Sequence, residues 1–213
     1  MFDLHVHTVF SDGELIPSEI ARRMVAAGNE GFAITDHADF SNISDILSKL
    51  EKLKDFMDLY DAKFLIGVEV THVPPELIGK AVELAWREGA EIVVVHGETV
   101  VEPVKNGTNF AALNEEITIL AHPGLMSEKE AEMARENGIH IEITSRKGHS
   151  LTNGYVAKLA EEFRFNLVIN TDAHSPSDII NDEMAEKVLR GAGVEDWREA
   201  LDNNRRLFRR LRK

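Results

Sequence analysis

The sequence has no cysteine among its 213 residues. That excludes disulfides, thiolate nucleophiles and zinc–thiolate sites together, and it fits an enzyme of the cytoplasm. Long apolar runs are missing too: no segment approaches the roughly 20 residues needed to span a bilayer, so no membrane partner is expected. The opening Met1-Phe2-Asp3-Leu4 lacks the basic stretch and apolar run of a secretory signal. Positive charge is scarce. Against 37 acidic residues stand 24 Lys and Arg, a net of -13. A body this acidic repels polyanions at long range, which disfavours nucleic acid as a substrate.

The shortage is uneven. Residues 198–213 hold seven basic and two acidic residues, leaving -18 for the rest of the chain. Trp197, Leu201, Asn204, Phe208 and Leu211 recur there at helical spacing. That predicts an amphipathic helix over about 195–212 with its arginines on the wet face. Otherwise the composition is that of a folded domain, with 43% hydrophobic and 29% charged residues. The length suits one domain over 1–213, with no linker or change of composition inside it.

Short Ile- and Val-rich runs alternate with amphipathic stretches. Candidate strands are 2–6, 31–35, 64–70, 91–95, 117–121, 139–143 and 166–170. Between them, Pro17 opens a helix that stops near Gly28. Ile43, Ile46, Leu50, Leu53, Met57 and Tyr60 mark a helix over about 43–60. Ser127 and Glu130 form a capping-box pattern for a helix ending near Asn137-Gly138. Further helices fit about 76–88, 151–163 and 178–190, while 97–116 reads as a long loop with a short helix. Seven strands separated by helices predict an α/β fold, either a doubly wound sheet or a barrel.

The ligand-type residues fall at one kind of position. His5 and His7 end the first strand, and Asp36 and His37 follow the second. Glu69 lies near the end of the third; His96 and His122 directly follow the fourth and fifth. Glu142 lies near the end of the sixth, and Asp172 and His174 follow the seventh. In parallel α/β folds the strand C-termini converge on one face, where active sites lie. In His5-x-His7 both rings share one side of an extended strand and can grip one ion. Imidazoles mixed with carboxylates suit zinc, iron or manganese. His72, His140 and His149, taken singly, read as ordinary loop or strand-end polar residues.

These residues resemble the polymerase and histidinol phosphatase (PHP) family. The likeness runs from Asp3-Leu4-His5-Val6-His7-Thr8 and Ser11-Asp12-Gly13, through Ile34-Thr35-Asp36-His37 and Gly67-Val68-Glu69. It continues with His96, His122-Pro123 and Asn170-Thr171-Asp172-Ala173-His174. The resemblance implies a distorted seven-stranded (β/α)7 TIM-like barrel with two or three divalent ions (Mn, Fe or Zn) at its C-terminal face. One ion would take His5, His7, Glu69 and Asp172. A second would share Glu69 and take His96 and His122. A third would use Asp12, His37 and His174, with Asp12 standing where some members carry histidine.

The segment after the sixth strand puts Arg146 and Lys147 at the same mouth, where they are expected to hold a phosphate. The expected reaction is hydrolysis of a small phosphorylated metabolite by a hydroxide bridging two ions, with Asp36, His174 or His149 as proton donor. Alternatives are a nuclease or exonuclease acting on phosphodiesters, and a non-catalytic barrel subunit of an RNA–protein complex. An amidohydrolase would carry a metal-bridging lysine on a middle strand, where this chain has Glu69. The sequence leaves the oligomeric state open.

Overall fold

The computed structural model describes residues 1–57 and 61–212. The strands are β1 (Phe2–Val6), β2 (Gly31–Ile34), β3 (His37–Ala38), β4 (Phe64–Val70), β5 (Ile92–His96), β6 (Ile119–Ala121), β7 (His140–Thr144) and β8 (Leu167–Asn170). The helices are α1 (Pro17–Ala26), α2 (Ile43–Met57), α3 (Ile78–Arg87), α4 (Thr108–Leu113), α5 (Glu128–Asn137), α6 (Asn153–Phe163), α7 (Asp182–Gly191) and α8 (Trp197–Leu211). All strand pairings are parallel, in the order β1-β2-β4-β5-β6-β7-β8, with β3 also on β4. The result is the expected TIM-like α/β barrel. Its seven staves gain an eighth segment, β3, because the second stave breaks at Thr35-Asp36 and resumes at His37.

Barrel closure is slender. β1 meets the end of β8 through a bridge between Val6 and Ala173, with His7 N–H donating to Ala173 O at 2.9 Å. Side chains supply what the ladder lacks. Asn170 Oδ1 accepts from Leu4 N–H at 2.9 Å. From α8, the Asn204 amide donates to Phe2 O (3.0 Å), Ile169 O (2.9 Å) and Asn170 Oδ1 (2.9 Å), and accepts from Ile169 N–H (2.9 Å). One buried amide thus laces the seam between the first and last staves.

Two apolar layers follow from strand alternation. Phe32, Ile66, Val68, Val93, Leu120 and Ile141 face the helices in the larger one. Leu4, Ala33, Leu65, Val94, Ile119 and Val168 fill the barrel interior, which Leu207 and Phe208 of α8 close at its N-terminal end. The Phe208 ring lies 4.9 Å from that of Phe2. The C-terminal helix predicted from its apolar stripe is therefore the barrel's plug, and its exposed Arg206, Arg209 and Arg210 form the wet face.

Several boundaries differ from expectation for local reasons. β5 runs one residue further than predicted: His96 pairs with Ala121, so it ends the strand instead of following it. α7 begins at Asp182, not near 178, because Asn181 caps it by accepting from Met184 N–H (3.0 Å). Likewise 149–152 is a 3-10 turn ahead of α6. The capping box at Ser127 and Glu130 is present, and Gly138, at φ 66°, ends α5 as expected. In the predicted 43–60 helix, Tyr60 lies outside the described residues.

His140 stands at the interior start of β7, 8% exposed. Burial and the nearby Arg210 and Arg206 push its pKa down to about 4. The native state keeps this ring neutral, whereas an unfolded histidine takes a proton near pH 6.5. Stability is then lost as pH falls from about 6.5 towards 4. A His140→Gln variant should escape about 2 kcal/mol of that loss at pH 5. Thermal midpoints of both proteins at pH 7 and pH 5 would test this; equal pH sensitivity would sink the assignment.

Candidate metal centre

Four local devices bring the ligand-type residues together. First, the β1–β2 register shifts between Asp3 and Val6, so that Leu4 belongs to the interior layer but Val6 to the outer one, and His5 and His7, already on one side, turn inward. Their Nε2 atoms lie 3.0 Å apart. Second, Asp36 fixes the turn that carries Asp12. It accepts from Thr8 N–H (2.7 Å), the Thr8 hydroxyl (2.8 Å) and the Ser11 hydroxyl (2.7 Å). Gly13 of that turn packs so closely that a Cβ would lie 2.5 Å from His7 O. Burial pushes Asp36 up, while those hydrogen bonds oppose it.

Third, Glu142 in β7 points inward and orients His5, its Oε1 lying 2.8 Å from His5 Nδ1. Asn170 donates to the same oxygen at 2.9 Å, so the seam amides continue as a hydrogen-bonded chain from Asn204 to His5. Fourth, His122 and Asp172 occupy left-handed backbone, at φ 27° and 52°. Strain of this kind persists only where the surroundings impose it, and it concentrates at functional sites.

The ring that results is tight; it is buried around Glu69 and opens to solvent at Asp12, with His37 and His174 half-buried. Glu69 Oε1 lies 3.4 Å from His5 Nε2 and 3.3 Å from His122 Nε2. Its Oε2 lies 2.6 Å from His37 Nδ1 and 3.6 Å from His7 Nε2. Asp172 Oδ1 is 3.1 Å from His7 Nε2, and Asp12 Oδ1 is 3.1 Å from His174 Nε2. Burial alone would push Glu69 up, but His5, His37 and His96 hold it well below the usual carboxylate range. Glu69 Oε1, Asp172 Oδ1, His7 Nδ1 and His122 Nδ1 are buried and without a hydrogen-bond partner. Two orphaned carboxylate oxygens among converging imidazole nitrogens are costly in isolation and suit divalent cations.

Among the described residues, ligand atoms within 4.8 Å of one another fall into four groups. Three make up the ring: His5, His7 and Asp172; His5, Glu69 and His122; His7, Asp12, His37 and His174. These bring together eight of the nine expected ligands. His96 falls in the fourth group, with His72 and Glu102, while its ring also packs edge-on against that of His122, centroids 4.4 Å apart. Glu102 was not anticipated. It lies in the irregular 97–107 stretch, where no strand end or spacing marks it.

The expected phosphate holders differ. Arg146 is partly buried beside the ring, donating to Asp172 O (3.3 Å) and to Asp178 Oδ2 (3.4 Å). Lys147 is exposed. His149 is buried in the mouth, with Nδ1 2.8 Å from the Thr99 hydroxyl. Burial and the adjacent His122 bring its pKa down to about 4. His174 Nδ1 lies 2.9 Å from Asp172 O, which leaves its Nε2 facing Asp12.

Comparison with known proteins bears on the family and the fold. An uncharacterized protein of Methanocaldococcus jannaschii is 54% identical over 91% of this chain and 90% of its own length. A probable phosphatase of Thermoanaerobacter sp. strain X514 is 27% identical over 91% of this chain and 87% of its own. In fold, the chain resembles a component of archaeal ribonuclease P solved with mature tRNA (TM-score 0.75, 18% identity, covering 98% and 90% of the two chains). It also resembles histidinol phosphate phosphatase of Lactococcus lactis, solved with zinc, L-histidinol and phosphate (TM-score 0.62, 17% identity, covering 90% and 93%). Among the described residues no helix is long and apolar enough to cross a membrane. The PHP domain model matches residues 3–122, and with the ring of ligands completed by Asp172 and His174, the chain belongs to the PHP domain family.

Proposed function

We propose that this protein is a divalent-metal-dependent phosphoesterase acting on a small phosphomonoester. The observation that carries the reading is the Glu69 carboxylate, buried between His5, His7, His37 and His122 with one oxygen lacking any hydrogen bond. Manganese, iron or zinc would be held by His5, His7, Asp12, His37, Glu69, His122, Asp172 and His174. Bound there, such ions lower the pKa of water and polarise phosphoryl oxygens. The protein's own part is to orient and to recognise. Glu142 holds His5 by its Nδ1, leaving Nε2 turned to Glu69. Arg146 is placed to meet a phosphoryl oxygen beside Asp172, and Lys147 adds a charge at the rim. Neither His174, whose Nε2 would be taken by an ion, nor Asp36, whose oxygens already accept three hydrogen bonds, is free to give a proton to the leaving oxygen.

The test is a screen of sugar, nucleotide and amino-alcohol monophosphates after dialysis against each metal. Release of phosphate that disappears on chelation is expected; no release from any ester with ions bound would sink the reading. Arg146→Ala should lower kcat/KM by about 10- to 100-fold, mostly through KM, with metal content unchanged.

The exposed arginines of α8 favour a second reading, in which the barrel docks on RNA with its basic end. Strongly salt-dependent RNA binding, lost with Arg209 and Arg210, would support that reading.

A further inference from the structure

Five large apolar side chains stay exposed on three consecutive loops at one side of the mouth. Val100 and Val101 follow β5, Leu125 follows β6, and Leu151 and Tyr155 follow β7, with exposures from 39% at Tyr155 to 74% at Leu151. The loops interlock. Gly148, at φ 92°, lets the turn after β7 run against Val101, where a β-carbon would lie 3.6 Å from Val101 Cγ2. The Tyr155 hydroxyl donates to Met126 O at 2.9 Å, which ties α6 to the residue after Leu125. Leu151 and Tyr155 stand four residues apart across the start of α6. An apolar strip left open in this way marks a place where something binds.

The strip starts at the metal centre. Val101 precedes Glu102, whose Oε2 lies 3.1 Å from His96 Nε2 and whose Oε1 lies 3.3 Å from His149 Nε2. Leu151 is two residues from His149, whose ring stacks on that of His122 with centroids 4.3 Å apart. Leu125 is three residues beyond His122. On the other side of Gly148, Arg146 reaches Asp172 O at 3.3 Å. The turn from Arg146 to Leu151 thus carries a cation suited to a phosphoryl group at one end and a bare leucine at the other. Hydroxyls on this side are already committed: that of Thr99 lies 2.8 Å from His149 Nδ1, and that of Tyr155 is bonded to Met126 O. A sugar laid along the strip would lose water without gaining these groups as partners, whereas a hydrocarbon gains by leaving water.

We infer that Val101, Leu125, Leu151 and Tyr155 form a leaving-group subsite for a hydrocarbon chain, so that the ester taken is an amphiphile with its phosphate at the ring and its tail along the strip. The inference rests on the phosphoesterase reading and narrows its substrate class. In the reaction the bond from phosphorus to the ester oxygen breaks. Water supplies the new oxygen on phosphorus and the proton on the departing alcohol, which leaves along the strip. Because the strip is one-sided and open to solvent, each methylene gains about twofold in affinity, against about fourfold for full burial.

Straight-chain alkylphosphonates, whose carbon–phosphorus bond this reaction does not cleave, report binding apart from turnover. Calorimetric titration of the metal-loaded protein should show affinity rising about 15-fold from ethyl- to hexylphosphonate. For the matching alkyl phosphates kcat/KM should rise in parallel, because the leaving ability of the alcohols hardly changes along the series. In the double variant Val101→Ser, Leu151→Ser both ratios should fall to about threefold or less. Phe56→Ser, which alters an exposed apolar side chain at the far end of α2, should keep them. No dependence on chain length in the parent, or an undiminished one in the double variant, overturns the subsite. If sugar or glycerol phosphates are hydrolysed without such dependence, only the subsite falls and the phosphoesterase reading stands. Chain-length-dependent binding with no ester hydrolysed overturns the reaction and leaves the strip as a surface for amphiphiles. Self-association of the parent that is lost in the double variant, with no effect of chain length, overturns the subsite and assigns the strip to a second copy.

Discussion

Replacing Glu69 by alanine is expected to reduce phosphoester hydrolysis by at least about a thousandfold. The reason is its position. Glu69 approaches four imidazoles, with Oε1 facing His5 and His122 and Oε2 facing His37 and His7. Asp172 matches it in number, lying 3.1–3.8 Å from His5, His7, His122 and His174, but only Glu69 sits at the junction of His5, His122 and His37. Its removal takes away the fully buried anion that counters several imidazoles, and cations held there would lose a shared ligand. The double variant His5→Ala, His7→Ala should behave alike, since it takes ligands from all three groups of the ring at once. Elemental analysis per chain, beside turnover, decides the matter: two or three ions in the parent and a clear loss in both variants are expected. Full metal content with intact turnover in Glu69→Ala would refute the role given to this residue. Glu69→Gln keeps the shape and removes the charge, and it should resemble alanine in activity if charge is what matters.

The second large effect is expected far from the mouth. Asn204→Leu leaves the backbone groups of Phe2 and Ile169 without the partners they have in the native seam. Each buried polar group left unpaired costs about 1–3 kcal/mol. A total of about 3 kcal/mol corresponds to a fall in Tm of roughly 6–12 °C for a chain of this length. Asn203→Ala is the comparison. Its side chain donates only to Leu167 O, at 2.9 Å, and its loss should cost about 1 kcal/mol. Asn204 has a second effect that packing alone would not give. Its amide leads through Asn170 and Glu142 to His5 Nδ1, so its loss should weaken metal binding by about 10- to 100-fold. Metal titration of Asn204→Leu well below its melting temperature separates the two. Unchanged affinity would show that the seam and the ring are energetically independent.

Much of this was legible before the structure. Strand-end histidines are read by counting, because a parallel sheet gathers its C-terminal ends on one face whatever the sheet's curvature. The apolar stripe of α8 was equally plain, and the asparagine at position 204 in that stripe was a signal in its own right. A polar residue on a buried face needs partners, and they proved to be the barrel seam. Whether the sheet was open or closed could not be read from periodicity, since both architectures show the same alternation. The likeness of motifs supplied that answer, and the seam contacts provide the physical closure.

What the sequence by itself determined is the inventory and the order: which residue types end which strands, where helices start and stop, and that the fold is α/β. Those properties depend on neighbours along the chain, on caps, on apolar period and on turn residues. Tertiary structure alone decided which ligands meet. Glu102 reaches His72 and His96 only because an irregular loop folds back over the β4 and β5 ends. His96 packs edge-on against His122, ring centroids 4.4 Å apart, with its Nδ1 tied to Gly97 O. Asp12 meets His174 only because Asp36 holds its turn and Glu14 N–H donates to His174 O at 2.7 Å. Such contacts join residues far apart in the chain through hydrogen bonds of fixed direction, and no local pattern of amino acids records where those directions cross.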